Sequence, residues 1–255
     1  MAIVTDNIAD AYNDFYTGNE VEWRMLGARS KAKNIMEVCK SIKPKKVLEV
    51  GAGDGSILHY LNEWNFGEEL YALEIAESGV SIIEKRKLSK IKEVKSFDGY
   101  TIPYENNFFD LVILAHVLEH VEHERVLLRE LKRVAKFLVI EVPLDYRFGV
   151  DNRMKHFLDY GHINMYTPTL IRFLVQSEGF AVKADKTSLT PVETIRFCEF
   201  NVLKKQKTLL KILKIELEFR IKKTLGKLLG KKRIEQFGNA YTVLVETSTE
   251  NLRIF

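Results

Sequence analysis

Hydrophobic positions along residues 46–142 follow two alternating patterns. Short runs rich in Val, Ile and Leu are typical of parallel strands buried on both faces, and the longer stretches between them have apolar residues three or four apart, as in helices. The predicted strands are 46–50, 70–74, 93–96, 109–115 and 137–142, and the predicted helices are 55–65, 76–87 and 117–135. This alternation predicts a parallel sheet covered by helices, because crossover helices pack back onto the sheet.

The later part of the chain adds an antiparallel ending to this pattern. A helix is predicted over 170–178, because Thr167 suits its N-cap and Pro168 its first turn. Two further strands are predicted at 180–188 and 240–247, and a strand pair so late in an α/β chain indicates an antiparallel hairpin at the sheet edge. The prediction is therefore an α/β, Rossmann-like fold with a seven-stranded, mostly parallel sheet and helices on both faces.

The chain of 255 residues is long enough for one large α/β core, so a single domain is the simplest interpretation. Within it, residues 1–40 are predicted to form N-terminal cap helices, residues 41–190 and 239–250 the core, and residues 191–238 a basic helical insertion.

Composition excludes several classes of protein. With 46% hydrophobic and 29% charged residues, the chain is unlike collagen, disordered proteins or disulfide scaffolds. It has neither an apolar signal region at residues 1–10 nor a run of about eighteen uncharged apolar residues, so we expect neither secretion nor a membrane span. Cys39 and Cys198 have no second Cys or His at ligand spacing, which predicts reduced thiols in a cytoplasmic protein.

The net charge of +4 is distributed unevenly. Residues 201–236 carry twelve basic and three acidic residues, which leaves 27 basic and 32 acidic residues elsewhere. The segment is therefore +9 and the remainder −5. This division disfavours a nucleic-acid-binding face on the core and marks the basic segment as a separate feature.

A glycine-rich turn joins the first predicted strand to the first predicted helix. It reads Glu49-Val-Gly-Ala-Gly-Asp-Gly55, with three glycines in five positions. Glycine permits positive φ and lets the backbone approach a ligand, because it has no Cβ. Glu74 ends the second strand 19 residues after Gly55, where an acid accepts hydrogen bonds from the ribose hydroxyls of an adenosine. These two features predict an adenosine-containing ligand.

The acids of the turn separate the candidate adenosine ligands. A dinucleotide site has the pattern G-x-G-x-x-G, which directs a pyrophosphate to a helix N-terminus. Here the pattern is E-x-G-x-G-x-G, with Glu49 and Asp54 facing the ligand. Two carboxylates repel a pyrophosphate but suit a sulfonium and an amino group. The turn and Glu74 resemble those of the class I S-adenosylmethionine-dependent methyltransferases.

Four further segments occur in the order that this family shows: Glu74-Ile75, Asp98-Gly99, LAHVLEHV after the fourth strand, and IEVP in the fifth. The resemblance covers roughly residues 20–190 and the last strand. It implies that the turn lies under the methionine moiety, that Ile75 packs on the adenine ring and that Asp98 accepts from the adenine amino group. It implies the cofactor-binding residues Arg24, Glu49, Gly51, Ala52, Gly53, Asp54, Glu74, Ile75, Asp98, Gly99, Ala115 and His116.

Segments ahead of the first strand, at residues 11–16 and 23–29, look like the helices that close over the cofactor in relatives. Arg24 is expected either to pair with the methionine carboxylate, which a guanidinium matches with two hydrogen bonds, or to lie on the surface of a cap helix.

Two histidines and a glutamate follow the fourth predicted strand. His116, Glu119 and His120 are expected on one face of a helix at the carboxyl edge of the sheet, with His156 or His162 offered by a later segment. The pattern is similar to the E-x-x-E-H of ubiquinone-pathway O-methyltransferases and small-RNA 2′-O-methyltransferases, in which these side chains hold a divalent cation; here His116 replaces the first Glu. Helix capping and packing is the favoured interpretation. A divalent metal on His116, Glu119 and His120, or base catalysis by a histidine, stays open.

Polar and aromatic residues dominate the segment 144–166, which is where this family builds its acceptor pocket. Transfer to a hydroxyl requires alignment of the acceptor and a base. His162 is the preferred base, and His120 and His116 are the other candidate catalytic histidines. The stretch GHINMYTP is similar to methyltransferases of bacterial glycans, which implies O-methylation of a sugar or glycan-type hydroxyl in cell-surface polysaccharide biosynthesis.

Two other functions remain as alternatives. An RNA methyltransferase is disfavoured by the acidic core and by the lack of an Asn/Asp-Pro-Pro-Tyr motif and of catalytic cysteines. A catalytically silent adenosine-binding module predicts a broken cofactor turn, whereas the turn here is intact.

Leucines and isoleucines recur three or four apart among the lysines of the basic segment, which predicts one helix over roughly residues 202–229. The favoured interpretation is that its apolar stripe packs on the protein itself or on a second subunit of a homodimer. The alternatives are peripheral contact of residues 203–233 with the inner face of an anionic membrane, and phosphate binding on RNA.

Overall fold

The computed structural model describes residues 21–146 and 150–248. The predicted cap helix over residues 11–16 lies outside these ranges. The strands are β1 Lys46–Val50, β2 Glu69–Glu74, β3 Ile91–Ser96, β4 Phe109–Ala115, β5 Ala135–Pro143, β6 Phe180–Ser188 and β7 Ala240–Thr247. The α-helices are α1 Val21–Val38, α2 Ser56–Glu63, α3 Glu77–Lys85, α4 Glu124–Val134, α5 Met154–Tyr160, α6 Pro168–Ser177, α7 Val192–Phe197, α8 Leu209–Leu229 and α9 Lys231–Ile234.

The strands form one seven-stranded sheet in the order β3-β2-β1-β4-β5-β7-β6. Strands β1 to β5 pair in parallel, and β7 runs antiparallel to both of its neighbours, β5 and β6. The predicted fold, including its antiparallel edge pair, is confirmed. Strand order reverses between β1 and β4, and in open α/β sheets the ligand crevice lies at the carboxyl ends of the strands at such a point.

Helices cover both faces of the sheet, as the alternation of patterns predicts. On one face, α4 and α6 contribute buried side chains such as Leu131 and Ile171 to the core. On the other face, α1, α2 and α3 contribute Ile35, Leu58 and Ile83. Each such side chain contributes about 1.5–3 kcal/mol by leaving water. The two layers bury both faces of the sheet and leave its carboxyl edge as the place for a site.

The segment after β4 differs from its prediction as one continuous helix over 117–135. A single 3₁₀ turn, Leu118–His120, is followed by extended backbone at Val121 with φ −92° and ψ 125°, and α4 begins only at Glu124. The amide of Asn164 donates to the carbonyl oxygens of Leu118 at 3.2 Å and Val121 at 2.6 Å. A distant side chain therefore satisfies carbonyl groups that a continuous helix would use internally. The prediction of a shared α-helical face for His116, Glu119 and His120 was wrong for this reason.

The insertion between β6 and β7 also differs in detail from its prediction. Its long helix α8 begins at Leu209, where Thr208 caps it by accepting a hydrogen bond from the amide of Lys211 at 3.3 Å. The predicted start near residue 202 was therefore too early. Among the helices that the structure describes, none is both long and apolar enough to cross a membrane.

Candidate active site

The glycine-rich turn lies at the carboxyl end of β1. Gly51, Gly53 and Gly55 have φ angles of +69°, +58° and +72°, in the left-handed region that glycine adopts without strain. The amide of Gly51 donates to the carbonyl of Leu73 at 2.9 Å, which ties the turn to β2. A Cβ on Gly51 would lie 2.5 Å from Cγ2 of Val117, the residue after His116. The turn therefore packs directly against the histidine segment.

Glu74 organises the turn as well as ending β2. Its buried carboxylate accepts hydrogen bonds from the amides of Gly53 at 2.7 Å and Ala76 at 3.1 Å. Burial raises the pKa of Glu74, and these hydrogen bonds oppose the rise. A Cβ on Gly79 would lie 2.8 Å from Cγ of Glu74, so α3 approaches closely only through a glycine. The role of this carboxylate in binding the ribose hydroxyls stays a prediction.

Asp54 joins the turn to two surrounding helices. Its carboxylate accepts from Nε of Arg24 at 3.0 Å, from Nη2 of Arg86 at 3.2 Å and from the hydroxyl of Ser56 at 2.5 Å. Burial alone would raise the pKa of Asp54, but these partners hold it below its usual value. Arg24 was expected to pair with the methionine carboxylate or to lie on the surface. In the structure it is hydrogen-bonded to Asp54 beside the turn.

Glu49 is a buried acid with an unsatisfied oxygen. It is 1% exposed, and its Oε2 has no hydrogen-bond partner among the residues that the structure describes. Burial raises the pKa of Glu49 well above its ordinary range, and the nearby Lys31 opposes this. Burial also lowers the pKa of Lys31, and the charges of Glu141 and other acids oppose this change. A carboxylate oxygen left without a partner beside the turn fits a ligand that carries an amino group.

His116 bridges two buried carboxylates. Its Nδ1 lies 3.3 Å from Oε1 of Glu119, and its Nε2 lies 3.4 Å from Oε1 of Glu141. Glu141 also accepts from the amide of Asn34 at 3.1 Å and from the hydroxyl of Thr242 at 2.6 Å. Burial lowers the pKa of His116, but the two carboxylates outweigh it and raise the pKa overall. The arrangement favours a charged bridge over a proton acceptor at this position.

His162 and Asp145 form the clearest hydrogen-bonded pair on the acceptor side. Nδ1 of His162 lies 2.7 Å from Oδ2 of Asp145, while Oδ1 of Asp145 accepts from Arg153 at 2.9 Å and lies 3.5 Å from Nε2 of His156. Burial would raise the pKa of Asp145, but the hydrogen bond from His162 and the charge of Arg153 lower it to about 2. An ionised Asp145 accepts a hydrogen bond from Nδ1–H of His162. Nε2 of His162 is then the ring nitrogen that can accept a proton.

His120 lies beside this pair. Its ring is 5.0 Å from that of His162, and its Nδ1 lies 3.0 Å from the carbonyl of Gly161, a residue 41 positions away. Burial lowers the pKa of His120, and the charge of Glu119 opposes this. His120 is therefore held by the lid segment 144–166, close to the predicted base.

Two groups of described side chains have the composition of metal ligands. In each group, one ligand atom per residue lies within 4.8 Å of the others: Glu119, His120 and His162 in one, and Asp145, His156 and His162 in the other. The first group contains two residues of the predicted metal trio, with His162 in place of His116. Both groups include His162. An ion bound by either group would therefore occupy His162 and prevent it from acting as a base.

The predicted adenine contacts lie at the ends of β2 and β3. The carboxylate of Asp98 accepts hydrogen bonds from the amides of Tyr100 at 2.8 Å and Thr101 at 2.6 Å. These bonds hold the carboxylate against the backbone that follows it. Ile75 is half-buried directly after Glu74. Gly99 has a positive φ of +91°. Ala52 and Ala115, each 6% exposed, lie in the turn and at the end of β4. The adenine roles of Asp98 and Ile75 stay predictions.

Residues 24–184 match a family model described as a methyltransferase domain, which is more than half of the chain. The chain belongs to the class I S-adenosylmethionine-dependent methyltransferases. Its cofactor is S-adenosylmethionine, and the residues around the turn fit that molecule: the unsatisfied Oε2 of Glu49 suits the methionine amino group, and the glycines with positive φ leave room beside the backbone.

Similarity to named proteins extends over much of the methyltransferase. The demethylmenaquinone methyltransferase of Thermotoga maritima is 24% identical over 207 residues, which are 69% of this chain and 86% of that protein. A ubiquinone/menaquinone biosynthesis C-methyltransferase of Cupriavidus metallidurans is 30% identical over 100 residues, which are 38% of this chain and 41% of that protein. The structure of phosphoethanolamine N-methyltransferase 2 of Haemonchus contortus with S-adenosyl-L-methionine aligns with a TM-score of 0.63 at 11% identity, covering 93% of this chain and 60% of that one. At that identity the structural likeness shows the fold alone.

The names of these three proteins specify a demethylmenaquinone methyltransferase, a C-methyltransferase and an N-methyltransferase, so they support methyl transfer but not the glycan branch of the sequence prediction. Three residues of the site were missed by the sequence reasoning, namely Lys31, Arg86 and Glu141, and so was the pairing of Asp145 with His162. A signal existed for Lys31, which lies between Ala28 and Ile35 on the helical stripe of α1 that faces the core.

Proposed function

We propose that this methyltransferase methylates a hydroxyl group of a sugar or glycan-type acceptor, with His162 as the base that removes the hydroxyl proton. The observation that carries the proposal is the 2.7 Å contact between Nδ1 of His162 and Asp145. A hydroxyl of high pKa needs such a base, whereas transfer to an amine that is already neutral does not.

The geometry of the pair supports a base at Nε2. The ionised Asp145 holds the proton of His162 on Nδ1, so Nε2 presents a lone pair. Arg153 holds the same carboxylate from its other oxygen at 2.9 Å, which limits its rotation. The imidazolium that forms when Nε2 takes the acceptor proton is stabilised by the adjacent carboxylate. Asp145 is a positioning residue in this proposal.

S-Adenosylmethionine supplies an electrophilic methyl group on a sulfonium when it is bound. Glu49 and Glu74 would hold its amino and ribose groups at the turn. His162 would orient the acceptor oxygen through the hydrogen bond that becomes the proton transfer. Alignment of this kind contributes much of the rate in a bimolecular displacement.

A second candidate is methylation of a ring carbon in a hydroquinone, favoured by the similarity to the demethylmenaquinone methyltransferase of Thermotoga maritima. The lid offers exposed apolar side chains on this side of the molecule: Met154, Leu158 and Ile163 are 67%, 74% and 60% exposed. A base at His162 serves this reaction too, because loss of a phenolic proton increases the electron density of the ring.

The test measures transfer of isotope-labelled methyl from S-adenosylmethionine to a panel of sugar nucleotides, lipid-linked oligosaccharides, RNA and reduced demethylmenaquinone. His162→Ala is expected to lower turnover about 10²–10⁴-fold and leave cofactor affinity unchanged, because only the proton acceptor is removed. His59→Ala is the matched control, since its side chain is exposed on α2 and pairs only loosely with Glu63 at 3.8 Å.

The nuclear magnetic resonance spectrum of the product then decides between the two acceptors, because an O-methyl and a ring-bound methyl have distinct shifts. Methyl on a ring carbon would replace the glycan proposal by the hydroquinone one. Full activity of His162→Ala would remove His162 as the base under either. Loss of activity with a chelator and recovery with Mg²⁺ or Mn²⁺ would favour a metal on Glu119, His120 and His162.

A further inference from the structure

We infer that helix α8 lies in the plane of an anionic lipid bilayer, with its outward apolar stripe among the acyl chains and its lysines among the headgroups. The inference concerns where the enzyme works, and it goes beyond the methyl transfer itself. It stands on the exposure, charge and position of α8.

The outer face of α8 is an exposed apolar stripe. Residues three or four apart lie on one face of a helix, and the stripe follows this spacing. Its members and their exposed fractions are Leu210 at 80%, Leu213 at 55%, Leu217 at 60%, Ile221 at 48%, Leu225 at 41% and Leu228 at 76%. The sequence reasoning favoured packing of this stripe on the protein itself or on a second subunit, and its exposure contradicts the first of these. The structure instead turns other apolar residues inward, namely Ile212, Ile215 and Phe219, which are half-buried.

Contacts with the rest of the insertion hold α8 in this orientation. Arg196 of α7 pairs with Glu216 at 3.2 Å. A Cβ on Gly226 would lie 2.9 Å from Cδ1 of Ile234, so the two helices α8 and α9 are in close contact. The stripe therefore faces outward from a helix whose opposite side is already packed.

Basic side chains lie on both sides of the stripe, and one of them, Lys214, lies within it. Helix α8 contains six basic and two acidic residues; Glu216 is paired with Arg196 at 3.2 Å, and Glu218 lies 3.8 Å from Lys214 on the surface of the helix. The six basic residues, all exposed, are Lys211, Lys214, Arg220, Lys222, Lys223 and Lys227. An amphipathic helix with a basic polar face binds an interface through both its apolar area and its attraction to anionic lipids.

The charge pattern distinguishes between the possible binding partners of the apolar stripe. A second copy of the chain would bring the same cationic flanks against each other, which like charges oppose. RNA would satisfy the lysines but leave six large apolar side chains in water. An anionic bilayer satisfies both sets at once. The helix is 21 residues long, or about 31 Å, but its six basic residues require it to lie along the surface.

The insertion emerges at the edge of the sheet that carries the active site. Ser188 ends β6 and pairs with Ala240, which begins β7 and pairs with Pro143 at the carboxyl end of β5. A cleft lined by Tyr146 of the lid and Gln236 of the insertion joins the two regions. A bilayer at α8 is therefore on the acceptor side of the enzyme, where it would present an acceptor that is itself lipid or lipid-linked.

The experiment is co-sedimentation of the full chain with vesicles of phosphatidylcholine alone and of phosphatidylcholine mixed in equal parts with phosphatidylglycerol. It uses no methyl acceptor, so failure of the proposed reaction does not affect it. Strong sedimentation with the mixed vesicles and weak sedimentation with the neutral ones is expected. A charge variant with Lys211→Gln, Lys214→Gln and Lys222→Gln is expected to partition about fivefold less for each lysine lost, or roughly 100-fold in total.

A stripe variant with Leu213→Ser, Leu217→Ser and Ile221→Ser keeps the charge and is expected to lose binding to the mixed vesicles. The matched control replaces three exposed lysines outside the insertion, Lys43→Gln before β1, Lys85→Gln in α3 and Lys92→Gln in β3, and is expected to bind as the unaltered chain does. Circular dichroism and cofactor binding confirm that each variant is folded.

Three results would overturn the inference. In the first, the unaltered chain stays in the supernatant with both kinds of vesicle. In the second, the stripe variant binds mixed vesicles as well as the unaltered chain does, which would indicate phosphate binding alone. In the third, the unaltered chain is a dimer and the stripe variant is a monomer, which would assign the stripe to a second copy.

Discussion

The cofactor side and the acceptor side of this active site are built in opposite ways. The cofactor side consists of one turn, residues 51–55, and one acid, Glu74, that hydrogen-bonds to the turn across two neighbouring strands. The acceptor side is assembled from the end of β5, a 3₁₀ turn and the lid, joined by contacts such as that of His120 with Gly161, 41 residues apart. Local backbone geometry defines the first region, and long-range side-chain contacts define the second.

Asp145→Asn is expected to have the largest effect on turnover. It tests whether the acceptor side can be impaired without changing the cofactor side. Asparagine keeps the size of the side chain but removes the charge that holds the proton of His162 on Nδ1. Turnover is expected to fall about 10²–10⁴-fold. Affinity for S-adenosylmethionine, measured by calorimetry, is expected to stay unchanged, because Asp145 contacts no residue of the turn among the described contacts.

Asp159→Asn is the matched control, since Asp159 is exposed on the same lid. A loss of cofactor affinity in Asp145→Asn that equals its loss of turnover would show that the two sides act as one unit.

Gly51→Ala sharpens the comparison from the cofactor side. Alanine at a φ of +69° is strained, and its Cβ would meet Val117 at 2.5 Å. The free energy of unfolding is expected to fall by about 2–4 kcal/mol, from strain and overpacking together, and cofactor affinity is expected to fall with it. Chemical denaturation and calorimetry measure the two effects.

The control for this substitution is Gly27→Ala in α1, where an added Cβ meets no atom within 4 Å. It is expected to raise the free energy of unfolding by about 0.5–1 kcal/mol, because alanine favours a helix over glycine. Destabilisation of equal size in both variants would mean that the left-handed turn imposes no special requirement.

The fold was predictable because each element repeats its own pattern. The apolar run Phe109–Ala115 is a strand in both the prediction and the structure, since a buried parallel strand needs little beyond that run. The helix predicted over 117–135 failed because Asn164, more than forty residues away, takes two of its carbonyl groups. Periodicity contains no information about such a partner.

The same distinction applies to the site. Glu49, Glu74 and the glycines follow from spacing within the first strand–turn–helix unit and its neighbouring strand. The pairing of Asp145 with His162, and the bridge from His116 to Glu141, depend on how the lid and β5 meet in space. Sequence reasoning named His162 and His116 as candidates, but their partners Asp145 and Glu141 required the fold.

His116→Asn probes the place where the two sides meet, and it is the smallest of the expected effects. Asparagine tolerates the left-handed φ of +58° at this position, so the substitution removes the charged bridge without adding backbone strain. The free energy of unfolding is expected to fall by about 1–3 kcal/mol, the range for leaving a buried polar group without its partner.

This loss is expected to depend on pH in a defined direction. The pKa of His116 is raised above 6.5, since its two carboxylates outweigh burial, so the stability from its charge is complete below 6.5 and is lost as pH rises through the raised value. The pKa values of Glu119 and Glu141 are lowered from 4.5, because His116 outweighs burial, so their share is lost as pH falls below 4.5. The difference in stability between the unaltered chain and His116→Asn is therefore expected to be largest between these two values and to shrink on either side. Thermal unfolding across this pH range, with exposed His123→Asn as the control, measures it. A difference that stays constant with pH would show that His116 acts by packing alone, and the cofactor and acceptor sides would then share no charged contact at this residue.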